Sequence, residues 1–148
     1  MLKRIGLLVI LAILLVTGCR PQPGEITAKL GEEFNLALGQ RASIQGEPFQ
    51  IRFVEVIGDS RCPEGAICIW AGEASCKTEI TYGETILQKI LVQPGSSGNS
   101  TTDFQDYKIA FDVKPYPEVG KEIRNEEYRL VLIITKHQET ILRQAQNK

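Results

Sequence analysis

The chain has 148 residues with nearly balanced charge: 17 Lys and Arg, 18 Asp and Glu and one His give a net charge of −1 at pH 7. This length fits a single domain of ordinary size. A protein that binds nucleic acid through its phosphates needs an excess of basic residues, so the composition argues against a nucleic-acid partner. The charge is unevenly placed. Residues 1–18 contain Lys3 and Arg4 but no acidic residue, so the rest of the chain has a net charge of −3.

The first 18 residues have the organisation of a secretory signal peptide. Lys3 and Arg4 precede an apolar run from Ile5 to Val16 that is interrupted only by Gly6. The run is too short for a helix that crosses a bilayer, which needs about 20 apolar residues, and its length is typical of a signal-peptide hydrophobic region. Residues 1–18 are therefore predicted to be a signal peptide that is removed from the mature protein.

The end of this run resembles the lipobox of bacterial lipoproteins. Residues 15–19, Leu-Val-Thr-Gly-Cys, place an aliphatic residue and small residues directly before a cysteine. The resemblance implies that the chain is cut before Cys19, which then carries a diacylglycerol on its sulfur and an acyl chain such as palmitate on its amino group. Two or three acyl chains anchor a protein stably to a membrane, whereas one binds only marginally. The alternative is an ordinary signal peptide that happens to end in a cysteine.

The predicted location is the extracytoplasmic side of a cell envelope, with the membrane as a partner through the lipid. In the lipoprotein family an Asp after the cysteine retains the protein in the inner membrane of two-membrane bacteria, and Arg20 stands there instead. The resemblance therefore implies the outer membrane where the organism has one. Residues 19–32 contain two Pro and two Gly among mixed charges and are predicted to be a flexible tether. The rest of the chain is predicted to consist of a β-domain over 33–137 and a polar tail over 138–148.

Apolar residues after position 32 recur with period two, which predicts strands rather than helices. The alternation is clearest over 104–113 and 74–82. At 49–56 the apolar parity changes after Phe53, which predicts a β-bulge. Segments 85–92 and 128–136 have apolar residues at both odd and even positions, as is typical of a central strand covered on both faces.

Turn residues separate these segments at intervals that suit about seven or eight strands. Alternating residues at 34–38 lead into a Gly39-Gln40 turn, after which 42–44 is expected to return as the next strand. The fold class predicted from this pattern is all-β, an antiparallel β-sandwich or small barrel.

Three cysteines follow Cys19, and an oxidising compartment permits one disulfide among them. Cys76 shares its parity with apolar strand residues, so it is expected to be a small buried thiol. Cys62 and Cys68 flank a predicted turn and are expected to pair, with a bond between Cys68 and Cys76 as the alternative. The spacing of these cysteines fits no common zinc site, so neither a metal nor a cofactor is predicted.

Residues 59–74, which read DSRCPEGAICIWAGEA, resemble a motif of small bacterial secreted proteins and lipoproteins. In those proteins a strand ends in D-S-R-C-P, a short loop follows, and C-x-W-x-G-x-A enters the next strand. They also tend to carry a P-Y-P-like segment late in the domain, as residues 115–117 do here. The resemblance covers about residues 34–136. The resemblance implies a loop containing two cysteines. It does not imply any particular activity.

The motif admits a structural and a functional interpretation. In the structural one, Arg61 pairs with Asp59 or another carboxylate at a strand end, and Trp70 packs on the disulfide or closes the end of the core. In the functional one, a rigid loop presents Asp59, Arg61 and Trp70 as a binding surface, since Trp and Arg often anchor interfaces. The functional interpretation requires Trp70 to be substantially exposed.

The sequence favours a non-enzymatic envelope module that binds another envelope protein or a glycan. The single histidine, His137, lies near the end of the chain, and adjacent carboxylates such as Glu32 and Glu33 point to opposite faces of a strand. Neither arrangement supplies a nucleophile with its base or a working carboxylate pair. The main alternative is an inhibitor of an extracellular protease or lysozyme that presents the disulfide-closed loop. An enzyme is a third and weaker hypothesis.

Overall fold

The computed structural model describes residues 24–96 and 98–137, which form nine strands and one turn of 3-10 helix at Asn125–Glu127. The predicted signal peptide, Cys19 and the polar tail over 138–148 lie outside the described residues. The strands are β1 (Glu25–Ala28), β2 (Glu33–Ala37), β3 (Arg41–Ile44), β4 (Phe49–Asp59), β5 (Glu73–Tyr82), β6 (Thr85–Pro94), β7 (Ser100–Phe104), β8 (Tyr107–Lys114) and β9 (Arg129–Lys136).

The strands form two sheets, one in the order β1-β3-β4-β5-β6 and one in the order β2-β9-β8-β7. The sheets are not closed into a barrel, so the predicted all-β class is confirmed in its sandwich form. Within the described residues the strand pairs are antiparallel except β1 with β3, which is parallel. The predicted single strand over 104–113 is two strands, because Gln105 adopts a positive φ of 51° and turns the chain between β7 and β8.

The core lies between the sheets and is built from alternate residues, as the period-two pattern predicts. On β5 the residues facing inward are buried while Lys77 and Glu79 between them are only partly covered. Burying a large apolar side chain contributes about 1.5–3 kcal/mol, so this inner layer holds the two sheets together. Its largest members are Tyr107, Phe49, Phe53, Leu36, Ile51, Ile80, Leu91, Ile109, Leu130, Leu132 and Ile134.

Strand pairing confirms the bulge in β4 and corrects the prediction of a hairpin at Gly39-Gln40. The register between β4 and β5 shifts after Phe53 and again after Val56. The Gly39-Gln40 turn does not close a hairpin, since β2 pairs with β9 whereas β3 pairs with β1 and β4. The turn instead carries the chain from one sheet to the other.

The two segments that are apolar on both parities occupy different places. β9 lies inside its sheet, but only alternate residues are fully buried. β6 lies at a sheet edge and exposes Ile86, Ile90 and Val92, so the prediction that it is covered on both faces is wrong. In a two-layer sandwich only the inner face of each sheet is covered, so the apolar residues on the outer face of β6 remain exposed.

β1 lies within the segment that was expected to be a flexible tether. Glu25 pairs with Arg41 and Ala28 with Ile44, and Ala28 is buried. Strand pairing among the described residues therefore starts at residue 25, eight positions before the predicted boundary at 33. A strand of four residues is too short for its alternation to stand out in the sequence.

Three connections lie at one end of the sandwich, which we call the loop end: residues 60–72, the described residues between β6 and β7 (95–96 and 98–99), and residues 115–128. The paired residues Glu25, Arg41 and Arg52 lie at one level of the five-stranded sheet, and β4 runs from that level to Asp59 at the loop end. β1 therefore begins on its loop-end side. The chain therefore enters β1 from the direction of the loop end, although Glu25 itself lies level with Arg52, nearer the opposite end of β4.

Cys76 is a free thiol in the inner layer, as predicted. Burial raises the pKa of this thiol to about 12, and the thiolate is the reactive form. We expect Cys76 in the folded protein to resist iodoacetamide at pH 8 and to react once the chain is unfolded in guanidinium. Peptide mass spectrometry of both samples measures this residue separately from the others. Rapid labelling of Cys76 in the native protein would contradict the buried position.

Candidate functional site

Residues 60–72 form a loop between β4 and β5 that a disulfide closes, and we call it the stapled loop. The bond joins Cys62 and Cys68, so the predicted pairing is confirmed over the Cys68–Cys76 alternative. At the base of the loop the backbone N–H of Ser60 donates to the carbonyl of Glu73 at 2.8 Å. The N–H of Cys62 donates to the carbonyl of Ala71, also at 2.8 Å. These bonds continue the pairing of β4 and β5 into the loop.

Two glycines allow the stapled loop to lie close to neighbouring backbone. Gly72 has a positive φ of 68°, and a Cβ at this position would lie 1.8 Å from the carbonyl oxygen of Ser60. The N–H of Gly95 donates to the carbonyl of Gly72 at 2.8 Å, and a Cβ at Gly95 would lie 2.0 Å from the carbonyl oxygen of Ala71. A side chain at either position requires the backbone to move, so both glycines fix the shape of the base.

The P-Y-P segment at 115–117 packs beside the stapled loop. The N–H of Glu64 donates to the carbonyl of Pro117 at 2.8 Å, and the N–H of Val119 donates to the carbonyl of Glu64 at 3.3 Å. The hydroxyl of Tyr116 donates to the carbonyl of Gly95 at 2.5 Å. The 115–119 segment thus ties the stapled loop to the connection between β6 and β7.

Arg61 is buried under the base of the stapled loop, with 2% of its surface exposed. Its Nε and one terminal nitrogen donate to the two carboxylate oxygens of Asp59 at 2.8 and 2.6 Å. The guanidinium also donates to the carbonyl of Val113 at 2.6 Å and to that of Pro115 at 3.0 Å. The structural interpretation of Arg61 is therefore confirmed, and the hypothesis that it belongs to an exposed binding surface is wrong. Four hydrogen bonds from this one side chain join Asp59 of β4 to Val113 of β8 and to Pro115 just after β8.

Two tyrosines complete the surroundings of this ion pair. The hydroxyl of Tyr128 donates to Asp59 at 3.2 Å, and burial together with the Asp59 carboxylate raises the pKa of Tyr128. The ring of Tyr116 lies 4.7 Å from the guanidinium carbon of Arg61, within the range of a cation–π contact. Asp59 and Arg61 are thus neutralised and hydrogen-bonded within the fold, and their chemistry is structural.

The outer half of the stapled loop has the opposite character, since its apolar side chains point into solvent. Ile67, Ile69 and Trp70 are 105%, 93% and 81% exposed, and Val119, whose N–H donates to Glu64 of the same loop, is 60% exposed. We call these four residues the apolar tip. The structural interpretation of Trp70, packing on the disulfide or the core, is wrong. Single exposed apolar residues are common, but a group of them on one projection makes this loop the candidate interaction surface of the domain.

A buried polar link that the sequence did not signal lies behind the loop end. Gln93 of β6 accepts a bond from the backbone N–H of Val113 at 2.7 Å and donates to Asp112 at 2.7 Å. The register of β7 on β8 reaches only Phe111, so Gln93 satisfies a backbone group that β7 does not pair. Strand periodicity describes which face a residue occupies and cannot indicate such a bond between sheets.

The described residues offer little to a small ligand or a metal. No cluster of three or more His, Cys, Asp and Glu side chains among them is arranged to hold a metal ion. An open depression of about 140 Å³ lies along Tyr116, Lys121 and Ile123, well below the roughly 300–1,000 Å³ of typical ligand pockets. His137 pairs with Asp103 at 3.3 Å at the end of the sandwich opposite the stapled loop.

The fold and the site together define a β-sandwich with a rigid, disulfide-closed loop that projects apolar side chains. In comparisons with protein families, curated proteins and solved structures, no match was found. None of the helical segments in 24–96 and 98–137 is long and apolar enough to cross a membrane.

Proposed function

We propose that the protein is a lipid-anchored, non-enzymatic module of a bacterial cell envelope that binds its partner through the apolar tip. The observation that carries the binding role is the exposure of Ile67, Ile69 and Trp70 on a loop whose base is fixed. The anchor is supported by the lipobox-like residues 15–19. The Cys62–Cys68 disulfide fits an oxidising, extracytoplasmic compartment.

The rigidity of the stapled loop favours binding because it reduces the entropy lost on association. The disulfide, the backbone bonds to Glu73 and Ala71, and the buried Arg61 hold the loop before any partner arrives. A surface that is already ordered loses less conformational freedom on binding than a flexible one. Trp is also among the residues that most often dominate the energy of interfaces.

The anchor is tested by Cys19→Ala in the full chain. We expect the wild-type protein to sediment with membranes and to incorporate labelled palmitate, and the variant to lose both properties. Cys76→Ala is the matched control, since it removes a cysteine that takes no part in anchoring. Membrane retention and labelling of the Cys19→Ala protein at the wild-type level would refute the proposed lipid attachment.

The binding role of the apolar tip is tested by a photo-crosslinking amino acid placed at Ile69 in living cells. We expect adducts from this position and few from Ile86, which is exposed on the edge strand away from the loop. Equal yields from the two positions, or none from Ile69, would remove the tip from the proposed function. The adducts also report whether lipid, protein or glycan lies against the tip.

Inhibition of an extracellular protease or lysozyme is the second candidate, and the shape of the stapled loop favours it. Ile67 is fully exposed inside a disulfide-closed loop, as the contact residue of a rigid inhibitor would be. Such an inhibitor should lower hydrolase activity at stoichiometric concentration, and Ile67→Ala should relieve the inhibition. Unchanged activity across a panel of extracellular proteases and lysozymes would exclude this candidate.

A further inference from the structure

We infer that the apolar tip enters the interfacial layer of the same bilayer that holds the lipid anchor, so that the domain contacts the membrane at two points. This inference rests on the proposed anchoring at Cys19 and names the partner of the tip. It is carried by the direction in which the chain enters β1, by the length of chain before β1 and by the chemistry of the tip.

The first argument is the direction of β1. Glu25 lies level with Arg41 of β3 and, through it, with Arg52 of β4. From that level β4 continues to Asp59, where the stapled loop begins. Tracing β1 backwards from Ala28 to Glu25 therefore moves towards the loop end. The described chain thus enters β1 from the direction of the loop end, the end from which the tip projects.

The second argument is distance. Six residue steps separate Cys19 from Glu25, which allow a reach of at most about 20–22 Å. Seven residue steps with two bulges separate Arg52 from Asp59, which corresponds to roughly 20 Å along the strand. The two lengths match, so the chain before β1 can place Cys19 at the level of the loop end. It is too short to hold the domain far from the membrane.

The third argument is the chemistry of the apolar tip. Residues 66–71 contain no charged side chain, and they carry two isoleucines and a tryptophan at high exposure. Tryptophan is enriched where membrane meets water, because its ring is apolar and its N–H can still be hydrogen-bonded. A convex apolar projection suits the acyl–headgroup boundary, where its buried apolar area supplies the attraction.

Charge near the tip further defines the contact. Glu64 and Glu118 form the backbone bridge beside the tip, and Lys121 is paired with Glu118 at 2.5 Å. These residues place two carboxylates beside the loop that carries the tip, and their one lysine is already paired with a carboxylate. We expect its insertion to be at least as strong in phosphatidylcholine as in phosphatidylglycerol.

The experiment uses Trp70 as its own reporter, since it is the single tryptophan of the chain. The full lipidated protein is reconstituted into phosphatidylcholine vesicles with and without brominated acyl chains. We expect the Trp70 emission to shift to shorter wavelength on reconstitution and to be quenched by the brominated lipid. Ile67→Ser/Ile69→Ser should lose the shift and the quenching while the protein still sediments with the vesicles.

The matched control is Ile86→Ser/Ile90→Ser, which removes two exposed isoleucines from the edge strand and should leave both signals unchanged. Sedimentation with vesicles but water-like, unquenched Trp70 emission would overturn the inference and leave the anchor intact. Failure to sediment would overturn the anchor and the inference together. Protection of Trp70 only after an envelope protein fraction is added would assign the tip to a protein partner and likewise overturn the inference.

Discussion

Replacement of Arg61 by alanine is expected to lower the free energy of unfolding by about 3–5 kcal/mol, the loss typical when one partner of a buried ion pair is removed. The side chains of Arg61 and Asp59 are 0% and 6% exposed. Without the guanidinium the Asp59 carboxylate stays buried with no cation, and the carbonyls of Val113 and Pro115 lose their donor. Denaturant unfolding, with the midpoint and slope fitted together, measures the change.

Arg41 provides the matched control for this prediction. It also pairs with a carboxylate, that of Glu79 at 3.0 Å, but the two side chains are 37% and 24% exposed. Water screens a pair of this kind, so Arg41→Ala should cost about 1 kcal/mol or less. If the two alanine variants lose the same stability, the buried ion pair is not what fixes the base of the stapled loop. Asp59→Asn/Arg61→Met should recover part of the loss, because it removes both buried charges.

Gly72→Ala is expected to destabilise the domain by at least about 3 kcal/mol, a loss in the range of strain and overpacking combined. The new Cβ would lie 1.8 Å from the carbonyl oxygen of Ser60 and 2.5 Å from its carbon. Both are backbone atoms that the bond from Ser60 to Glu73 holds in place. The positive φ of Gly72 adds the strain that an L-residue meets in the left-handed region.

Gly46→Ala separates these two causes. Gly46 has a similar φ of 78°, but a Cβ there meets nothing within 4 Å. The loss of stability in Gly46→Ala should therefore reflect conformational strain alone, about 1–2 kcal/mol. Thermal unfolding of both variants against the wild type provides the comparison. If the two variants lose the same stability, the backbone around Gly72 and Ser60 can move apart at little cost. The base of the stapled loop would then not be rigid.

The sequence predicted what depends on local alternation and spacing. The inner face of β5, the bulge in β4, the buried Cys76 and the Cys62–Cys68 bond are all decided within about ten residues of chain. Such features follow from which side of a strand a residue occupies and from how near two cysteines lie. The same reasoning fixed the all-β class, because no segment of the domain has a helical period.

The features that it missed depend on partners distant in the chain. Arg61 is buried because carbonyls more than 50 residues away accept its hydrogen bonds, and Gln93 is buried because β7 stops short of Val113. β6 is apolar on both parities yet lies at an edge, since strand order is set by the whole sheet. The motif at 59–74 therefore signalled an important loop, but alternation alone could not divide it into a buried base and an exposed tip.

That division has a consequence for how the protein can vary. The base is specified by Asp59, Arg61, Gly72 and the disulfide, whereas the side chains of Ile67 and Trp70 are almost entirely outside the packed structure. Substitutions at the tip should therefore have little effect on folding. A library that varies only Ile67, Ile69 and Trp70, and keeps Cys62, Cys68 and Gly72, should therefore change the exposed surface while leaving the base of the loop intact.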